Sequence, residues 1–156
     1  MSIKTTVWTA LVSAAALAAA PAFAADNWVG TWKLNVEKSQ LGSNAIRAQT
    51  LTFEATPDGI KLSTVGTDAQ GQPMKGGYVS KFDGKDVPWA GNPMADTASP
   101  KRIDNNSYEN VWKKGGKVTV TAKISVSPDG KTMTVTQSGT DPEGKPVTST
   151  AVYDRQ

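Results

Sequence analysis

Trp28-Val29-Gly30-Thr31-Trp32-Lys33-Leu34-Asn35 is the stretch on which the fold turns. It reads as an opening β-strand, with a glycine two residues before a tryptophan. The chain beyond repeats one theme almost to its last residue: short runs of Thr, Val, Ile and aromatics, cut by turn chemistry. Pro57-Asp58-Gly59, Asp83-Gly84-Lys85, Gly115-Gly116, Pro128-Asp129-Gly130 and Asp141-Pro142-Glu143-Gly144 accept the backbone angles that hairpins demand. Alternation is cleanest over residues 118–126, where every second residue is apolar and those between are Thr, Lys or Ser. A strand with one dry face gives that pattern, and a helix does not. Leu51, Phe53 and Ala55 repeat it, as do Ile60 with Leu62, Tyr108 with Trp112, and Met133 with Val135. Helical signals are confined to residues 36–41, where Ser39 and Gly42 would end a short turn. The fold class predicted is therefore all-β, about 8–10 antiparallel strands without a helical lid. A meander that long leaves two open edges unless it closes, so an up-and-down β-barrel is expected.

Residues 1–24 read as a signal peptide. Lys4 supplies a positive start, residues 7–20 an alanine-rich apolar core, and Ala22-Phe23-Ala24 the small-x-small pattern before a cut at Ala25. The apolar run falls short of the roughly 18 residues that a membrane span needs. What remains, residues 25–156, is a single domain by length, with a periplasmic or secreted destination. A chain of that size can bury about two-thirds of its unfolded surface. It must do so without disulfides, because there is no cysteine. A soluble monomer is expected.

The net charge is +3, with lysines scattered among acids. That is a solvated surface and not a nucleic-acid footprint. Histidine is absent too. A Ser-His-Asp triad, a Cys-His pair and His- or Cys-ligated zinc or haem are thereby excluded. Asp83, Asp86, Asp96 and Asp104 could pair for acid–base work, but each sits in a turn or loop where Asp is the structural choice. No catalytic residue, metal ligand or cofactor is predicted.

An internal echo divides the chain. Thr56-Pro57-Asp58-Gly59 returns as Ser127-Pro128-Asp129-Gly130, and Gly66-Thr67-Asp68 with Gly71 and Pro73 returns as Gly139-Thr140-Asp141 with Gly144 and Pro146. Two halves of about five strands each, or a small turn vocabulary used twice, would both produce it. Between the halves lies residues 86–100, irregular and holding Pro88, Pro93 and Pro100. Proline removes ladder donors, so an edge segment or long connection is expected there, with Trp89 packing onto the core.

The opening stretch resembles the first-strand signature of the calycins, the lipocalins and intracellular fatty-acid-binding proteins. Ala151-Val152-Tyr153-Asp154-Arg155 is similar to the last strand of the latter. Small secreted bacterial lipocalin-like proteins are the nearest overall likeness. The resemblance implies that Trp32 plugs the closed end of the barrel, that Arg155 covers it, and that Gly30 permits the close approach. It also implies two departures. Residues 36–45 are too short for the helical lid of fatty-acid-binding proteins. Their carboxylate anchor, an Arg-x-Tyr, has its tyrosine in Tyr153 but Ala151 where the arginine belongs.

If Val147, Ser149, Ala151 and Tyr153 face inward, the same alternation brings Tyr78, Asn110 and Gln137 in beside Trp112 and Phe53. Apolar walls with a few polar groups suit a ligand pocket, and equally a filled core whose polar groups bond one another. Arg47, in phase with Leu51 and Phe53, is either an anion anchor or a solvated strand end. Two functions follow as expectations: a non-enzymatic barrel binding a small apolar or amphipathic ligand, or an interaction or inhibitor module acting through its loops on a filled scaffold. A cofactor-free enzyme ranks behind both.

Overall fold

The computed structural model describes residues 26–42 and 46–156. The leader assigned above lies outside them. Ten strands run in chain order: β1 Gly30–Leu34, β2 Ala48–Thr56, β3 Gly59–Thr67, β4 Pro73–Ser80, β5 Val87–Pro88, β6 Thr97–Arg102, β7 Ser107–Lys114, β8 Lys117–Val126, β9 Thr132–Thr140 and β10 Pro146–Arg155. All pair antiparallel in one sheet of order β4-β3-β2-β1-β10-β9-β8-β7-β6-β5. The protein is a nearly closed up-and-down β-barrel, and no helix occurs among the described residues. Residues 36–41 make a turn instead. There the Ser39 hydroxyl donates to Asn35 O at 2.6 Å, and Gln40 bridges Thr150 of β10, so tertiary pairing takes the groups a helix would have used.

First and last strands meet: Trp32 stands opposite Arg155 and Leu34 opposite Tyr153. On its other side β1 pairs β2, with Gly30 opposite Phe53. The weak join falls between β4 and β5. Beside β5, among the described residues, only Gly77 and Ala90 bond across it, at 3.1 and 3.2 Å. Just past β4 the Arg102 N–H of β6 donates to Phe82 O at 3.2 Å and the Gly84 N–H to Pro100 O at 2.9 Å. By contrast, β3 and β4 pair from Ile60 to Thr67 without a break. A Cβ on Gly91, whose φ is +74°, would strike the Lys75 carbonyl, so the backbones approach here only without side chains.

Alternation sets the core. Val120, Ala122, Ile124 and Val126 of β8 are buried, as are Leu51, Phe53, Ile60, Leu62, Met133 and Val135. Ala55 and Val118 break the expected pattern. Ala55 lies exposed near the end of β2. A bulge between Trp112 and Lys113 slips the β7–β8 register, turning Val118 out to solvent and Thr119 in. The Thr119 hydroxyl is satisfied there by Met94 O at 2.9 Å and Trp112 O at 3.2 Å. Residues 86–100 hold β5 and the start of β6, not a plain connection. Pro100 fits β6 because no full strand lies on its outer side.

One end is stoppered by aromatics. Trp28 and Trp32 are wholly buried, and the Trp32 indole N–H donates to Trp28 O at 2.8 Å. Burying such a ring stabilises by about 3 kcal/mol. The Arg155 guanidinium lies 4.1 Å from the Trp32 ring centroid and donates to the carbonyls of Val29, Asn27 and Gly130. A Cβ on Gly30 would come within 2.5 Å of Arg155 Nη1, and Gly30 has φ +135°. A second pair, absent from the sequence reading, stands alongside: Arg102 lies 5.4 Å over Trp28 and is held by Asp26. Burial pushes the Asp26 carboxyl up, against the pull of Arg102. Phe82 packs tilted and Tyr108 edge-on against Trp28, and the two meet each other edge-on with centroids 4.9 Å apart.

Of the two echoed pairs of turns, the β3–β4 and β9–β10 pair has the same construction. In each, an Asp carboxylate accepts two backbone N–H bonds: Asp68 from Gln70 and Gln72 at 2.9 and 2.8 Å, Asp141 from Glu143 and Lys145 at 2.9 and 2.8 Å. Both turns stand at the end of the barrel away from Trp32.

Candidate functional site

Because side chains on a strand alternate, every second residue of β2, β7 and β10 points into the barrel. They do not meet across it. They enclose a cavity of about 690 Å³. Its floor is Phe53 and Tyr108, which rest on the aromatic stopper. Its mouth lies between the β3–β4 and β9–β10 turns and the segment from Gly91 to Met94.

Of the residues the sequence put forward, Tyr78, Asn110, Trp112, Gln137 and Tyr153 line this cavity. Arg47 does not. It precedes β2 and is exposed, near Gly71 of the β3–β4 turn. Its phase with Leu51 is real, but the ladder that would carry it inward begins one residue later. Gln49, in the same phase, lines the cavity in its place.

The interior polar groups largely bond one another. The Tyr153 hydroxyl donates to Gln49 Oε1, and the Ser149 hydroxyl to Gln137 Oε1 at 3.0 Å. Asn110 accepts the Ser99 backbone N–H at 3.1 Å and reaches the Tyr78 hydroxyl at 3.4 Å. Each amide therefore keeps capacity beyond the bonds it makes. Burial pushes the phenols of Tyr78, Tyr153 and Tyr108 far up, that of Tyr108 with help from the neighbouring Tyr78. They are hydroxyls, not phenolates, throughout the physiological range. The Trp112 indole N–H is buried and finds no acceptor among the described residues.

Trp89 packs as a wall. Its ring meets Tyr78 at 5.2 Å and Trp112 at 4.9 Å, both edge-on. Charge is kept to the rim: Asp68, Asp141, Glu143 and Lys145 sit in the two mouth turns, and Lys114 at the end of β7. Lys145 is paired with Glu143 at 2.9 Å.

The four aspartates considered for acid–base work lie elsewhere. Asp83 and Asp104 accept backbone N–H bonds within their own turns, and Asp96 accepts the Gly115 N–H at 2.8 Å. Asp86 takes the Ser99 hydroxyl and the Lys113 ammonium, which hold its carboxyl below the usual range. Among the described residues no cluster of His, Cys, Asp and Glu could hold a metal ion, and no helix is long and apolar enough to cross a membrane.

No protein-family model and no curated protein matches the chain. Among solved structures it is similar to a redesigned β-barrel, mFAP1, bound to DFHBI: TM-score 0.43 and 16% identity, covering 85% of this chain and 98% of that one.

Proposed function

We propose that this protein is an exported, non-enzymatic, calycin-type barrel that works as a monomer and holds a small apolar or amphipathic molecule in its cavity. The observation that carries the reading is the cavity of about 690 Å³, open at its mouth, within the range of small-molecule sites and lined by more apolar than polar surface. A filled scaffold acting through its loops would lack that space. Tyr78, Asn110, Trp112, Gln137 and Tyr153 are the proposed contacts, with Gln49 added. Trp32, Arg155 and Gly30 keep the far end shut. Export rests on the leader, residues 1–24.

Drug-sized ligands gain about 0.3 kcal/mol per non-hydrogen atom. A guest of roughly 20 such atoms then binds with about −6 kcal/mol, a Kd of order tens of micromolar. Native mass spectrometry of protein isolated from its own cells reads both parts of the proposal. It should show a chain starting at Ala25 and an adduct of small-molecule mass. A ligand-free mass, with tryptophan fluorescence unmoved by a panel of lipids and aromatics, would overturn the binding function.

A further inference from the structure

We infer that the cavity selects an uncharged, flat, ring-bearing molecule with hydrogen-bonding groups, and turns away carboxylates of the same skeleton. This deepens the proposed function and rests on it. Three observations carry it.

The wall from β4 to β7 is an aromatic ladder, Tyr78, Trp89 and Trp112 in edge-to-face contact at 5.2 and 4.9 Å. Such rings offer their faces and edges to another ring, which gains more from them than an alkyl chain does. The wall across the barrel, on β2, β9 and β10, carries two amide–hydroxyl pairs, Gln49 with Tyr153 and Gln137 with Ser149. Amides that keep a free N–H and a lone pair can bond a neutral hydroxyl or carbonyl of either polarity.

The third observation is charge. Among the described residues no strand-borne cation reaches the interior: Lys114 and Lys145 line only the mouth, Lys145 is bound to Glu143, and Arg47 stands outside. The mouth also presents Asp68, Asp141 and Glu143. A carboxylate drawn inside would shed its water with no opposite charge to meet it and would pass an acidic-leaning rim.

Four probes test this by tryptophan fluorescence and calorimetry at pH 7: 2-naphthol, methyl 2-naphthoate, 2-naphthoate and 1-decanol. The two neutral naphthalenes should saturate, 2-naphthoate should bind at least about tenfold more weakly than its methyl ester, and 1-decanol several-fold more weakly than 2-naphthol. Val147→Trp, at a half-buried position on the wall, should abolish all binding while the protein still unfolds cooperatively; Ser149→Phe serves if that variant does not fold. Naphthoate matching its ester, decanol matching naphthol, or full binding by a folded plugged variant overturns the inference and leaves a carrier of other specificity. Saturation by none of the four overturns the inference and the carrier function together.

Discussion

Replacing Arg155 by alanine removes the tie between the last strand and the first. Its guanidinium lies 4.1 Å from the Trp32 centroid, a partly desolvated contact worth about 1 kcal/mol. It also donates to the carbonyls of Val29, Asn27 and Gly130. Each such bond, half-exposed, contributes about 0.7 kcal/mol net. Arg155→Ala should therefore cost roughly 3 kcal/mol, lowering the Tm of a domain this size by about 10 °C. Arg155→Lys keeps a cation near the indole but not the fork that serves three carbonyls together, and should recover about a third of the loss. Urea unfolding followed by circular dichroism measures both, with the slope unchanged because the surface exposed is the same. A double-mutant cycle with Trp32→Phe isolates the ring–cation part, expected at about 1 kcal/mol. If Arg155→Ala costs under about 1 kcal/mol, or the cycle shows no coupling, the join is held by backbone pairing alone and the reasoning fails.

Gly30→Ala drives a methyl into the Arg155 guanidinium from a backbone at φ +135°. It should cost about 2 kcal/mol, and less again when Arg155 is already alanine, read by the same denaturation assay. At the seam, native-state hydrogen exchange should find the amides of Gly77 and Ala90 among the least protected of the bonded set, because they form an isolated bridge with no ladder on either side of it. Protection there equal to that of the Trp32–Arg155 pair would refute it. For pH, Lys113 and then Ser99 hold Asp86 below its ordinary 3.8. Its contribution is thus complete above about pH 4 and disappears as the pH falls through the lower folded value. Asp86→Asn should be less stable than the parent at pH 7, with the gap in urea midpoint closing toward pH 2. A gap that widens on acidification would reverse the sign and the assignment.

Periodicity made most of this barrel legible. Val120, Ala122, Ile124 and Val126 could be placed inward from one stretch of β8, and Asn110 and Gln137 follow by the same count of two. Val118 could not, because its outward turn comes with a bulge between Trp112 and Lys113 on the neighbouring strand and not from its own neighbours in sequence. Gln49 shares its phase with Arg47 and lies inside the strand, whereas Arg47 stands a residue before β2, where alternation no longer fixes which way a side chain points. The stacking of Arg102 on Trp28 has no sequence mark at all: no period links them, and only the closed ring brings them together. The cavity is of the same kind. Alternation says which side chains point inward, but whether they touch depends on the circumference of the barrel, a property of the whole sheet.

The pairing of β1 with β10 also orders events in time. Until the final segment arrives, β1 has one neighbour, β9 has one, and the indole of Trp32 has no cation above it. A join between opposite ends of a chain carries the largest loop-closure cost and forms late. The last ten residues therefore act as a keystone: a chain missing them would carry nearly every hairpin yet present two raw sheet edges to its neighbours.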